Sequence, residues 1–288
     1  LNELSLKTVQ ELFKEGEIRL GRGREARIAS RILLCKSASI TDEEFYAEGR
    51  REVAREQERA FFRLIDRRRS GIPLAYLTNV KEFWSLSFDV HPGVLIPRPE
   101  TESIVEKIIA LSAKRGEVVA DIGTGCGNIA IALAGELPEA RIIATDVSRA
   151  AVRIAKANAA RMGFSNIEIV QGSLFSPLDR LKLRGGCDFI VSNPPYVAER
   201  EWRKLPLEIR RHEPKRALVA GETGLELIQE LVKGAPEYLK PGGHLVVEIG
   251  HRQNKQVVSM LGGRWGRVRS FKDLSGIPRV IAAQKPAT

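Results

Sequence analysis

The side chains best suited to chemistry stand at the ends of short apolar runs. Asp121-Ile122-Gly123-Thr124-Gly125-Cys126-Gly127-Asn128 closes the run 118–122 and leads directly into a helical stretch, 129–137. Glycines 123, 125 and 127 permit a sharp turn and let a ligand approach the backbone. They stand at the carboxyl end of a strand, where open α/β sheets bind their ligands. A dinucleotide site calls for G-x-G-x-x-G. An acid followed by G-x-G-x-G lacks that phosphate cradle and suits a charged nucleoside without phosphates, such as S-adenosylmethionine, whose amino group needs a carboxylate or carbonyl partner. Asp146 closes the next run, 142–146, where Rossmann-like folds place the acid that accepts hydrogen bonds from ribose hydroxyls. It also reads as an N-cap for the helix starting near Ser148.

Asn193-Pro194-Pro195-Tyr196 ends a fourth run, 188–193. Two prolines stiffen the backbone and remove two N–H donors while leaving their carbonyls free to accept. Asn193 adds a side-chain carbonyl and Tyr196 a flat face, so the segment suits a planar –NH2 group. Cys126 has no paired base and reads as a small filler. His91, His212, His244 and His251 stand singly, and Cys35, Cys126 and Cys187 show no C-x-x-C spacing. Neither histidine catalysis nor a structural zinc is expected, and the cysteines fit a reducing compartment.

These groups need a scaffold, and the pattern supplies one. Runs 118–122, 142–146, 167–171, 188–193 and 244–249 alternate with helical stretches and are followed by a last pair near Val268 to Phe271 and Arg279 to Ala283. Strand–helix alternation with β-branched strands predicts a doubly wound α/β sheet. Upstream, Leu4 to Ser70 is proline-free with apolar residues at helical spacing, which predicts four or five short helices, one of them N-capped by Thr41. The charged run Arg50 to Arg69 mixes acids with bases and reads as a solvated helix face. Gly71-Ile72-Pro73 breaks the helical pattern, and the alternation from Phe83 to Ile96 predicts a β-hairpin turning at His91-Pro92-Gly93. Helical character resumes from Glu100 to Lys114. The organisation expected is a helical domain at 1–75, a hairpin linker at 76–99 and a catalytic domain at 100–288.

Composition bounds the class. With 288 residues, 43% hydrophobic and 28% charged, the chain is an ordinary globular protein rather than a disordered or fibrous one. Its apolar runs fall far short of the ~18–20 residues that span a bilayer, so no membrane association is expected. It starts at Leu1 rather than Met, which is compatible with a missing or a trimmed N-terminus. The net charge of +10 is carried mainly by residues 101–288 and favours polyanionic surroundings or a partner that works on RNA. No stable nucleic-acid binding is expected.

Asp121 to Gly127 together with Asn193 to Tyr196 resembles the class I S-adenosylmethionine methyltransferases that act on an amide or exocyclic amine. Lys81-Glu82-Phe83-Trp84 and Leu95-Ile96-Pro97-Arg98-Pro99-Glu100-Thr101-Glu102 narrow the resemblance to the HemK/PrmC family, the peptide chain release factor glutamine N5-methyltransferases. So do Glu213-Pro214 with Ala217-Leu218, Gly224-Leu225, the turn Leu239-Lys240-Pro241-Gly242-Gly243, and Asp273-Leu274-Ser275-Gly276 with Arg279. Asn79 stands where the family usually has Gly, and Ser173 where Asp is common.

The resemblance implies a Rossmann-like methyltransferase domain behind a small helical domain, S-adenosyl-L-methionine as cofactor, a class I release factor as protein substrate, and a cytoplasmic location. It implies cofactor contacts from Asp121, Ile122, Gly123, Thr124, Gly125, Asp146, Leu174 and Asn193, with Leu174 packing on adenine. Asn193 and the Pro194 carbonyl would accept from the substrate amide, while Pro195 and Tyr196 would hold its plane. Methylation of a ribosomal-protein glutamine, adenine-N6 methylation of nucleic acid, and nucleoside binding without catalysis are the competing readings.

Overall fold

A computed structural model describes residues 6–112, 115–273 and 275–287; Leu4, Lys114 and Leu274, named above, lie outside them. The chain forms two compact units: residues up to Val80 together with Leu207–His212, and Lys81–Pro206 together with Glu213 onward.

The first unit is helical: α1 (Val9–Arg19), α2 (Arg24–Ala38), α3 (Asp42–Ala47), α4 (Arg55–Arg69) and α5 (Leu74–Thr78). Thr8 and Thr41 each cap a helix reciprocally with the glutamate three residues on, satisfying backbone donors that the first turn leaves free. Leu12, Phe13, Leu33, Leu34, Phe61 and Ile65 make the core. The expected acid–base alternation on α4 is present around that core, with Phe61 and Ile65 inward and Asp66, Arg67 and Arg69 exposed. Asn79 ends α5 in the left-handed conformation, φ 62°, which suits Gly best and Asn next, so its side chain is compatible with a glycine position.

In the second unit a hairpin, β1 (Val80–Phe83) and β2 (Leu86–Asp89), comes first. It turns at Trp84-Ser85, both at positive φ (52° and 56°), and not at His91-Pro92-Gly93 as the alternation predicts. His91 to Val94 form a separate turn that starts the irregular approach to the site. The buried Asn158 accepts from the Asp89 amide at 2.8 Å and donates to the carbonyls of Asp89 and Cys126, tying the hairpin to the glycine loop.

Then α6 (Glu102–Leu111), β3 (Val118–Ile122), α7 (Asn128–Glu136), β4 (Arg141–Asp146), α8 (Arg149–Met162), β5 (Ile167–Gln171), α9 (Ser176–Arg180) and β6 (Cys187–Ser192) alternate as expected. β7 (Val197–Ala198) and α10 (Glu199–Trp202) follow; α11 (Leu207–His212) belongs to the helical unit, where Glu208 pairs with Arg68 at 2.8 Å. β8 (Val219–Gly221), α12 (Glu226–Tyr238), β9 (Leu239–Glu248), α13 (Asn254–Leu261), β10 (Val268–Lys272) and β11 (Pro278–Gln284) complete the chain. The seven-stranded sheet has the order β10-β11-β9-β6-β3-β4-β5. β3, β4, β5, β6 and β9 run parallel; β11 pairs antiparallel with β9, and β10 pairs antiparallel with β11. Lys240 to Gly243 is not a free turn. It is an excursion within β9, between Leu239 paired with Cys187 and His244 paired with Phe189. Ala120, Ile122, Ile190, Leu245 and Val247 pack on Ile228 and Leu231 of α12.

Strand order reverses at β3, which lies between β4 and β6. The crevice at the carboxyl ends of these three strands is where such a sheet binds ligands.

Candidate active site

The glycine loop leaves β3 with Gly123 at φ 79° and Gly125 at φ 60°, and a Cβ added at either would meet no atom within 4 Å. The backbone is therefore open to a ligand on that side. Gly127, φ 89°, differs: a Cβ there would press on Ile131 at 2.8 Å and Ala155, so this glycine lets α7 pack close to α8. Asp146 accepts from the Gly125 amide at 3.0 Å and the Ser148 amide at 2.8 Å. The helix cap is Ser148, whose hydroxyl accepts from Ala151, so Asp146 bridges two loops rather than capping α8. Burial raises its pKa, and the two amides act against that.

Asp121 lies fully buried beneath the loop. Among the described residues none meets full hydrogen-bond geometry with either of its carboxylate oxygens or with the buried Thr124 hydroxyl, although Thr124 and the Ala130 amide stand near enough to favour its charged form. Burial, reinforced by the negative charge of Asp146, pushes the Asp121 pKa up to about 7 against the opposing effects of the Thr124 hydroxyl and the Ala130 amide. Perturbed carboxylates of this kind concentrate at functional sites, and a positive charge bound above the loop would favour the ionised form of this one.

The Asn193-Pro194-Pro195-Tyr196 segment leaves β6 and is fastened from behind. Asn193 Nδ2 donates to the Thr101 hydroxyl at 3.0 Å, Thr101 donates to Glu248 Oε2 at 2.6 Å, and the Tyr196 hydroxyl donates to Glu248 Oε1 at 3.2 Å. Gln253 donates to the carbonyls of Tyr196 and Gly224. Gly224, at φ 80°, lies so close that a Cβ would stand 2.5 Å from the Tyr196 carbonyl oxygen. Burial pushes Glu248 up to about 7 against the opposing effects of Thr101, Tyr196 and Arg279, and burial likewise raises Tyr196. On the approach to α6, Arg98 pairs with the buried Glu213 at 2.5 Å, and Glu213 also accepts from the Ile96 amide.

A cavity of about 270 Å³ collects most of the expected residues: Ile122, Gly123, Thr124, Gly125, Asp146, Leu174, Asn193, Pro194 and Pro195 all line it, together with Ser173 and Arg216. Leu174 does so at φ 46°, a strained conformation for leucine. Two expected residues do not line it. Asp121 sits one position deeper in β3, and Tyr196 packs on the sheet core with its hydroxyl turned to Glu248. Cys126 is buried with its thiol pushed up to about 12, the environment of an inert filler. The sequence does not mark Thr101, Glu248, Gln253 or Asn158 individually. Thr101 lies inside a quoted motif, but its partner Glu248 is 147 residues away, and nothing local marks the pairing.

The fold, with a glycine loop, an acid at the end of the next strand and Asn-Pro-Pro-Tyr after β6, defines a Rossmann-like methyltransferase that uses S-adenosyl-L-methionine. The chain matches the methyltransferase small domain over residues 102–209 and the PrmC N-terminal domain over 11–78. A release factor glutamine methyltransferase of Moorella thermoacetica is 37% identical, over 96% of this chain and 99% of its own. One of Vibrio cholerae is 41% identical, over 77% of this chain and 76% of its own. The chain belongs to the release factor glutamine methyltransferase family. A methyltransferase structure from Pyrococcus furiosus, 21% identical, shares the fold with a TM-score of 0.54 over 77% of this chain and 99% of its own.

Proposed function

We propose that the chain methylates the side-chain amide nitrogen, N5, of the glutamine in the Gly-Gly-Gln motif of class I release factors. The observation that carries this reading is that Asn193 and Pro194 line the same cavity as the glycine loop and Asp146. Amide acceptors and cofactor contacts thus stand in one chamber. S-adenosyl-L-methionine supplies, when bound, a methyl group on a positively charged sulfur. Asp146 accepts from the ribose hydroxyls, Gly123 and Gly125 allow close approach, and Leu174 packs on the adenine. The negative charge of Asp121, buried beneath the loop and off the cavity wall, favours the positively charged amino group without direct contact.

A glutamine amide is a poor nucleophile because its nitrogen lone pair is delocalised into the carbonyl. The Asn193 side-chain oxygen and the Pro194 carbonyl accept from its NH2, hold the lone pair in line, and stabilise the positive charge that grows on nitrogen. The work is done by positioning and preorganised acceptors. Pro195 borders the amide, and Tyr196 acts from behind as an anchor of the loop rather than as a face for the substrate. A substrate of the translation machinery places the reaction in the cytoplasm, and the helical unit selects that substrate.

The test is methyl transfer to a purified release factor by Asn193→Ala, with the modified residue mapped by mass spectrometry. Loss of one preorganised polar contact predicts a fall in kcat on the order of 10²- to 10³-fold, with cofactor affinity nearly unchanged. Near-normal turnover would remove Asn193 from the chemistry.

A further inference from the structure

We infer that Thr101 and Glu248 are positioning residues that fix the direction of the Asn193 amide, presenting its oxygen and not its NH2 to the substrate. The inference rests on the reading of Asn193 as the amide acceptor. The two ends of an asparagine amide are nearly identical in shape, so only hydrogen-bonding partners decide which end faces which way.

The partners here form a chain with a direction. An ionised carboxylate only accepts, so Glu248 requires a proton from each neighbour: Tyr196 gives one at 3.2 Å and Thr101 the other at 2.6 Å. The Thr101 hydroxyl has a single proton, now committed, and its oxygen can serve Asn193 only as an acceptor. Asn193 must therefore turn Nδ2 toward Thr101, at 3.0 Å, which leaves its Oδ1 facing away from Thr101 with no hydrogen bond to it among the described residues. In the opposite arrangement Glu248 would be protonated, Thr101 would donate to Asn193 Oδ1, and the Asn193 NH2 would meet the NH2 of the substrate, donor against donor. Thr101 is 1% exposed and Glu248 2%, so bulk water does not substitute for either contact.

The groups facing Glu248 oppose one another. Thr101 and Tyr196 donate to it, Arg279 on β11 favours its ionised form, and Glu100 disfavours it. Burial outweighs these and leaves the pKa at about 7. The direction of the chain is consequently set above neutral pH and lost on acidification.

The experiment measures kcat at saturating cofactor across pH 5.5 to 9 for wild type, Thr101→Val, Thr101→Ser, Glu248→Gln and Asn193→Ala, with calorimetric cofactor affinity as the check on folding. Thr101→Val leaves Asn193 Nδ2 facing a methyl in a half-buried place, frees the amide to turn, and lowers kcat roughly 10- to 100-fold, while cofactor affinity stays within about threefold. Thr101→Ser keeps the hydroxyl and restores kcat to within about threefold of wild type. Wild-type kcat falls as pH drops through about 7. That acid limb disappears in Glu248→Gln, which has no carboxylate to protonate, and in Thr101→Val, where the link is cut. Wild-type kcat in Thr101→Val alongside a large loss in Asn193→Ala overturns the inference and leaves the acceptor role intact. Equal losses in Thr101→Val and Thr101→Ser, or weakened cofactor binding in both, overturn it in favour of a packing role. Full turnover by Asn193→Ala overturns the acceptor reading on which it stands.

Discussion

Asp121 carries a carboxylate into a buried place where no described residue meets full hydrogen-bond geometry with it and no cation pairs with it, and its ionisation sets stability against function. Its pKa is about 7 in the folded protein and near 3.9 in the unfolded chain, so between those values the folded state holds the extra proton. Stability therefore falls as pH rises from about 4 to about 7 and stays reduced above that. Asp121→Asn removes the charge, and in the absence of cofactor its melting temperature should exceed that of wild type at pH 8, with the gap closing toward pH 5. The same variant should bind S-adenosyl-L-methionine more weakly at pH 8, since the amino group loses its counter-charge. A melting temperature unchanged at pH 8 would mean that the carboxylate is compensated. Asp146→Ala, by contrast, removes the acceptor proposed for the ribose hydroxyls. Hydrogen bonds to a charged acceptor are worth about 1.5–3 kcal/mol, so titration calorimetry should show affinity reduced at least about tenfold. Unchanged affinity would leave Asp146 only its bridge between the Gly125 and Ser148 amides.

The hairpin shows how local chemistry can hide an element. A two-residue turn with both residues at positive φ normally announces itself as Asn-Gly. Here Trp84 and Ser85 occupy it, and the Gly-containing turn eight residues on carries the stronger signal in the sequence. What holds the turn is tertiary: the Trp84 amide donates to Glu102 and its indole N–H to Glu136, each at 2.8 Å. Ser85 is exposed and strained, so Ser85→Gly should stabilise the protein by about 0.5–1 kcal/mol, a rise of roughly 1–3 °C in thermal melting, with activity untouched. No change would indicate that glycine's extra freedom in the unfolded chain cancels the relief. The strands and glycine loop were legible because their signals are local: β-branched runs, glycines where positive φ is needed, an acid closing a strand. The fastening of Asn193 was not, because Thr101 and Glu248 meet only after β6 and β9 pair and the turn before α6 folds over their ends.

At the scale of the molecule, the helical unit is discontinuous: α11 joins it from between β7 and β8, with Arg68 paired to Glu208. The sequence hides this because Leu207–His212 is short and charged and lies beyond Asn-Pro-Pro-Tyr, with no local mark of its partners. The residues lining the cavity fall between Gly93 and Leu231, and none of them belongs to the helical unit. Cofactor binding should therefore survive removal of that unit, provided the cut takes both parts: deletion through Val80 and replacement of Leu207–His212 by a polar linker. A cut that leaves α11 behind strips it of its partners and confuses misfolding with loss of recognition. If the helices select the protein substrate, the trimmed enzyme should bind S-adenosyl-L-methionine with near-normal affinity. Its kcat/KM on intact release factor should fall on the order of 10²-fold or more, because remote contacts no longer pay for orientation of the glutamine. Transfer to a short Gln-containing peptide, which cannot make those contacts, should change little. If both substrates lose rate by the same factor while cofactor affinity holds, the helices support the catalytic unit's structure and substrate selection lies in Lys81–Pro206 and the chain from Glu213 onward.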